Sequence, residues 1–392
     1  MSDQTLEQLL NSGHYPEALL QLNNGEKLPK TIQDYAKWQI FDNLFRGDQF
    51  EIIDYLIKTK AVETDIYELE NFDKSIFQSI IRNLKDSAEG QDFFKSLISK
   101  FDNLNDEVGA KTLLGYFFEK GASLQKIKIL VDAGCDVNFK NNAEENFIHQ
   151  VIKTNLMKPD LTCSYIELLI NEGLDVNATN IVKKTPLIAA VEFDKEDYLD
   201  VLLENGANPN DVDKDGDSAF FYAVAHKLDL ELYNKLRDYG TPDFDVQNRD
   251  QVTLLFEYVR MMYNSADALK LLCKMIDDGA DLYQTSIYYG RETTPLDLIA
   301  EKSADVLEAV LETGNIDVNR QDAGGNTMLH KVCAYNVNYE ADKAKETYRK
   351  VKLLIENGAD VSLTNDQDKT ALMLASDDNL KIKTVELLMK NA

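Results

Sequence analysis

The chain has 392 residues, with hydrophobic residues at 44% and charged residues at 28%, the balance of a soluble folded protein rather than a disordered one. Its 68 acidic residues outweigh 42 basic ones for a net charge of −26, which argues against nonspecific binding to nucleic acid or to anionic membranes. The longest apolar runs, Ile188 to Val191 and Leu271 to Cys273, are far too short to cross a bilayer, and Met1 to Asn11 has neither the basic start nor the apolar core of a secretory signal.

Taken from the N-terminus, residues Thr5 to Leu22 predict a helical hairpin that caps the end of a stack. Leu44 to Asp48 with Ile52 to Ile57 predicts a helix pair. Phe72 to Asp102 predicts another, carrying Ile76, Phe77, Ile80 and Ile81, then Phe93, Phe94, Leu97 and Ile98. Beyond residue 101 a phrase recurs: Gly134-Cys135-Asp136-Val137-Asn138, Gly173-Leu174-Asp175-Val176-Asn177, Gly206-Ala207-Asn208-Pro209-Asn210, Gly279-Ala280-Asp281-Leu282 and Gly358-Ala359-Asp360-Val361. Gly240 and Gly314 mark two weaker copies. The glycines are separated by 39, 33, 34, 39, 35 and 44 residues, a period of about 33 with insertions. Each unit opens on a helix start and closes on a helix-ending glycine. In one, Thr185-Pro186 caps a first helix with the small apolar face Leu187, Ala189, Ala190 and Val191. A turn at Asp194 to Asp197 follows, then a second helix with Leu199, Val201, Leu202 and Leu203, ended by Gly206. Asn208 to Asp217 then projects as a finger. Ser218-Ala219-Phe220, Thr294-Pro295-Leu296, Thr327-Met328-Leu329-His330 and Thr370-Ala371-Leu372 repeat the opening. Lys153 to Cys163 and Asn336 to Lys350 are insertions, and Ala341 to Lys352 is helix-prone, so the latter extends a second helix.

These residues resemble the ankyrin-repeat family, whose pattern is T-P-L-H-x-A-A, a turn glycine, a Leu-rich second helix, then G-A-D-V-N. The resemblance covers about three quarters of the chain and implies an all-α solenoid of stacked helix-turn-helix units with short β-hairpin-like fingers. The predicted organisation is an N-terminal helical cap at 1–34, degenerate ankyrin-like repeats without the finger motif at 35–100, and the repeat array with a C-terminal cap at 101–392. The resemblance further implies that His330, and His149 in the equivalent place, tie neighbouring units together. His14 and His226 have no partner legible in the sequence.

Signals of chemistry are sparse. Asp211 to Asp217 resembles a calcium loop, D-x-D-x-D-G, but Tyr222 stands where the bidentate Glu should be, so it reads as a finger turn. No nucleotide, hydrolase or zinc-protease motif is present. Cys135, Cys163, Cys273 and Cys333 are widely spaced and read as small buried residues of a reducing compartment. The sequon Asn177-Ala178-Thr179 falls on a repeat turn. We assign no catalytic residue, no metal and no cofactor. The informative departure is the finger from Asp281 to Thr293, about three residues longer than the family's. It carries Tyr283, Ile287, Tyr288, Tyr289 and Arg291, residue types that include those enriched at binding hot spots. Ile181-Val182 places apolar residues in another finger where the family has polar ones.

The function these observations imply is recognition of another protein through the concave face made by the fingers and the first helices, with a basic partner as the finer expectation, by a monomer in the cytoplasm. Two other readings stay open. One is an acidic inhibitor or immunity-type protein that neutralises a basic partner or mimics nucleic-acid charge. The other is an effector with an activity in the N-terminal third.

Overall fold

The computed structural model describes residues 4–29, 32–154 and 158–392 and divides into two compact units, Met1–Ala207 and Asn208–Ala392. The expected lengthened turn at Lys153 to Cys163 lies in part outside the described residues.

In the first unit the chain runs as successive helix pairs: α1 (Leu6–Ser12) and α2 (Tyr15–Asn23), α3 (Asp34–Arg46) and α4 (Phe50–Lys58), α5 (Ile76–Asn83) and α6 (Ala88–Ile98). Then come α7 (Leu113–Glu119) and α8 (Leu124–Asp132), α9 (Phe147–Lys153) and α10 (Pro159–Asn171), α11 (Pro186–Glu192) and α12 (Leu199–Glu204). First helices pack on first helices, α7 on α9 on α11, and second helices on second helices, α6 on α8 on α10 on α12. The result is two helical layers with the core between them. Leu187, Ala190, Leu199 and Leu202 are wholly buried there.

The second unit continues the scheme. A short helix α13 (Ala219–Phe221) runs into a π turn at Tyr222–His226 and pairs with α14 (Leu230–Arg237). Next are α15 (Leu254–Met261) and α16 (Ala266–Asp277), then the strands β1 (Ser286–Tyr288) and β2 (Arg291–Thr293). The pairs α17 (Pro295–Glu301) with α18 (Ala304–Glu312), α19 (Met328–Ala334) with α20 (Ala341–Glu356), and α21 (Ala371–Ser376) with α22 (Ile382–Asn391) complete it. The sequence Asn336 to Lys350 indeed lengthens a second helix, since α20 spans 16 residues.

Local chemistry explains the helix starts. Thr112, Asn146, Thr185, Ser218, Thr253, Thr294, Thr327 and Thr370 each stand before a first helix and accept the backbone N–H three residues on. Such a cap contributes about 1 kcal/mol. Of the recurring glycines, Gly240 is the exception: it is absent from the left-handed residues, whereas Gly206 (φ 88°) and Gly358 (φ 87°) adopt that conformation.

One device between neighbouring repeats has no counterpart in the sequence reading. Lysines, two of them buried (Lys350 and Lys381) and one half-buried (Lys302), cap the carbonyl ends of first helices in the preceding repeat. Lys350 Nζ donates to Ala300 O (2.5 Å) and Lys302 O (2.9 Å), Lys302 Nζ to Met262 O (3.1 Å), and Lys381 Nζ to Cys333 O (2.8 Å). Each places an ammonium at the negative end of a helix. Burial pushes the Lys350 pKa down to about 8.

The cysteines are not uniformly buried. Cys135 and Cys333 are, but Cys163 and Cys273 are only half-buried. Their sulfurs sit 3.5 Å from Asp197 O and Ala309 O. No helix among the described residues is long and apolar enough to cross a membrane.

Candidate protein-binding surface

Five-residue loops form most of the fingers, and each is built around one side chain. In Asn180–Lys184, Asn180 Oδ1 accepts the N–H of Val182 (3.0 Å) and of Lys184 (3.0 Å), while Lys183 takes a positive φ of 58°. Asn141, Asp213, Asn248, Asp322 and Asn365 do the same for their own loops. This is the Asx turn, in which a short side chain replaces a backbone acceptor. It accounts for the calcium-like run. Asp213 Oδ1 is engaged by Asp215 N and Asp217 N, and its Oδ2 accepts the hydroxyl of Tyr222 at 2.9 Å, the residue standing where calcium would need Glu. Among the described residues no group of three or more His, Cys, Asp or Glu is arranged to hold a metal ion.

Neighbouring fingers join through one backbone bond. Ile181 N donates to Ala143 O (2.9 Å), Arg249 N to Asp215 O (2.7 Å) and Asp366 N to Gly324 O (3.1 Å). A second ladder runs at the finger base through the Asn of the recurring phrase. Asn210 donates to Thr241 O and accepts Asp243 N, and Asn319 donates to Gly358 O and accepts Asp360 N. Asn177 donates to Gly206 O, so the sequon's amide is engaged. The ladder reaches back to Asn105, which donates to Gly134 O and accepts Asp136 N. Asn105 therefore supplies a finger-base contact for a repeat whose sequence shows no finger motif.

Histidines tie repeats together as the resemblance implied. His330 Nε2 lies 3.1 Å from Lys369 O, and its Nδ1 accepts Thr327 N at 3.2 Å. His149 Nε2 lies 3.0 Å from Lys184 O. Burial holds both pKa values below the usual histidine range. The other two histidines do have partners: His14 Nδ1 is 2.7 Å from Ser12 Oγ, and His226 stacks on Tyr222 with its Nε2 3.6 Å from Asp217.

The long finger of the second unit departs from this pattern. β1 and β2 pair antiparallel with Ser286 opposite Thr293, Ile287 opposite Glu292 and Tyr288 opposite Arg291. Tyr289 (φ 48°) and Gly290 (φ 72°) close it, both left-handed as a two-residue hairpin turn requires. Tyr289 is 88% exposed at the tip. Ile287 and Arg291 are exposed and Tyr288 is half-buried. Tyr288 stacks against Tyr289 at 4.4 Å between ring centres and meets Phe256 edge-on at 5.6 Å. Contact with Tyr289 raises the Tyr288 phenol pKa, against the opposing pull of Arg260. Tyr283 belongs to the finger base instead. It occupies the place of the phrase's Asn, its hydroxyl accepts Asp317 N (2.9 Å) and lies 3.2 Å from Asp317 O, and Arg320 covers its ring at 3.8 Å.

In the first unit Ile181 is 59% and Val182 39% exposed at a finger tip, although the Ile181 backbone is bonded to the adjacent finger. The structure thus brings Ile287, Tyr288, Tyr289 and Arg291 together on one hairpin, sets Tyr283 below them, and places Ile181 and Val182 on another finger. Phe193, 45% exposed just after α11 with Lys153 over its ring, is an exposed aromatic that periodicity concealed, because it reads as the end of an apolar helix face.

Comparison with known proteins agrees with this architecture. A profile described as ankyrin repeats (3 copies) matches twice, over residues 159–248 and 296–392. The chain is 27% identical to the mouse B-cell lymphoma 3 protein homolog over 203 residues, 51% of this chain and 42% of that protein. It is 23% identical to an ankyrin repeat protein of fowlpox virus (strain NVSL) over 243 residues, 54% of this chain and 70% of that one. The chain therefore spans less than half the length of the mouse relative. Among solved structures, the ankyrin repeat domain of Bcl-3 aligns with 62% of this chain and 98% of its own, at 23% identity and a TM-score of 0.48.

Proposed function

The chain is an ankyrin-repeat protein, and from that premise we propose that it is a protein-recognition module whose contact surface is carried by its fingers. The observation that carries the reading is the hairpin of the second unit. The repeat needs only a polar turn there, as the loops Asp213–Asp217 and Asn365–Lys369 show, yet this one ends in an 88% exposed Tyr289 beside Tyr288, Ile287 and Arg291. Tyrosine and arginine supply large contact area with a polar handle and dominate binding energy where they occur. Tyr283 contributes by holding the base of that finger. Ile181 and Val182 are the corresponding contact residues of the first unit. Exposed aliphatic side chains are not required for the geometry of a turn held by the Asn180 side chain and by backbone bonds.

The net charge of −26 supports a basic partner. Opposite charge speeds encounter and suppresses wrong partners more than it adds affinity. The reading needs no catalytic residue and no cofactor, and it takes the chain as a monomer that works in the cytoplasm. The test is capture from a lysate of the native host by the wild-type chain and by a Tyr288→Ala/Tyr289→Ala variant, followed by mass spectrometry. A protein retained by the first and lost from the second supports the proposal. Equal capture by both would place the contact surface elsewhere.

A further inference from the structure

The finger ladder of the second unit has a gap. In the loops Asn248–Val252 and Asn365–Lys369 the second residue, Arg249 or Asp366, donates its N–H to the preceding finger. Ala323 holds that place in the loop Asp322–Asn326, and its N–H has no partner among the described residues. The preceding finger is the long hairpin. Tyr288 and Arg291 flank its two-residue turn as the hydrogen-bonded pair, so the next pair, Ile287 and Glu292, directs its backbone groups outward. Ile287 N uses this to donate to Gln251 O at 3.0 Å. Glu292, on the opposite edge, has no such bond among the described residues. One side of the hairpin is joined to its neighbour, and the other leaves a strand edge open.

Beside the missing bond, a cleft of about 240 Å³ lies between the foot of the hairpin and the next finger. Thr285 and Thr294 line it from one side, Asp322 and Ala323 from the other, with Leu296 and Met328 among its apolar lining. Of its charged lining residues, Asp317 and Asp322 balance Arg320 and Lys331. Asp297, outside the lining but 2.5 Å from Lys331, adds one carboxylate, and Arg320 lies on Tyr283. The unpaired N–H and strand edge call for an extended backbone, the apolar residues for an aliphatic side chain, and the one surplus carboxylate, within a chain of net charge −26, for a cation.

We propose that this cleft receives one extended, basic segment of the partner protein, which adds as a strand between β2 and the loop Asp322–Asn326. Main-chain bonds to Glu292 and Ala323 supply the hold, as in other strand additions to an open edge, and alternate side chains supply the selectivity. This rests on the protein-binding reading above and names the form of the bound segment.

The test has two stages. In the free chain, amide proton exchange at Ala323 and Glu292 is expected to run at least about tenfold faster than at Arg249 and Asp366, whose N–H groups are bonded. A slow Ala323 would mean the gap is closed and would overturn the proposal. Next, the blocked peptide acetyl-Lys-Val-Lys-Val-Lys-amide is titrated to millimolar concentration and followed by amide chemical shifts. Saturable shifts are expected at Ala323 and Glu292, lost with the Glu-for-Lys peptide and with the backbone N-methylated peptide. No shift with the lysine peptide, or equal shifts with all three, contradicts the inference. So does protection of Ala323 on raising the protein concentration alone, which would assign the cleft to a second copy. Glu292→Pro should abolish the response, since proline is tolerated on an edge strand whose N–H is free. Glu292→Lys, which leaves the backbone intact, should weaken it if the proline variant fails to fold. Failure here, with partner capture still lost on changing Tyr288 and Tyr289, leaves the wider reading standing without this cleft.

Discussion

Tyr283 stands where the other repeats carry Asn138, Asn177, Asn210 and Asn319, and its phenol meets a backbone N–H of the following repeat as the amides of Asn210 and Asn319 do. From sequence alone it looks like a surface tyrosine; the contact that defines it lies 34 residues away. Two residue-scale consequences can be measured. Gly325 is left-handed (φ 75°), and an added Cβ would stand 2.7 Å from Asp366 N, the donor that joins the last two fingers. Gly325→Ala should therefore cost about 1–3 kcal/mol in chemical denaturation, and a loss of under about 0.5 kcal/mol would show that the loop relaxes freely. His330 provides a pH test. Burial lowers its folded pKa, so as pH falls the unfolded chain takes up the proton first. Its contribution is full above the unfolded value of about 6.5 and is lost as pH drops through the depressed folded value. Protonating Nδ1 removes the acceptor for Thr327 N. The stability advantage of wild type over His330→Gln should shrink between pH 7.5 and pH 5.5. A constant difference would contradict this account.

At the scale of elements, packing is between neighbours, and damage should stay near its origin. Leu202 is wholly buried in α12, which packs on α10 and α11. Leu202→Asp would bury an unpaired carboxylate, a large penalty. Amide exchange should rise first in α10, α11 and α12, while α1 and α2 at the other end of the same unit change last. Equal loss of protection at both ends would show that the unit melts as one. The same locality explains what the sequence discloses. Thr185 before Pro186, Gly206 after Leu203, and the apolar spacing between them act within one turn of chain, so helix pairs and fingers are legible there. The lysine caps are not, because Lys350 looks like one more charge on a mixed helix until it meets Ala300, 50 residues earlier. Nor is the finger-base contact at Asn105, whose repeat lacks the glycine phrase that signals the others. The candidate surface was legible only as unusual composition. That Tyr289 is exposed while Tyr283 is built into the finger base depends on the hairpin's register, which residue types do not specify.

For the whole molecule, two features bear on function: a repeat framework held by its own turns, ladders and caps except at the gap beside the hairpin, and an excess of acid over base spread along the chain. The first leaves the exposed Tyr289 and Arg291 side chains without a structural task, and the second supports a partner of opposite charge. The central claim is that the finger tip is a contact surface, and affinity for the captured partner tests it most directly. Titration calorimetry would compare wild type, Tyr288→Ala/Tyr289→Ala, and a control, Met389→Ser, changed at an exposed position on the outer helix α22. The account expects the tyrosine variant to lose roughly 2 kcal/mol of binding, about 30-fold, with an unchanged melting temperature and a control that binds as wild type does. Wild-type affinity in the tyrosine variant, or a loss that follows a fall in its melting temperature, would contradict it.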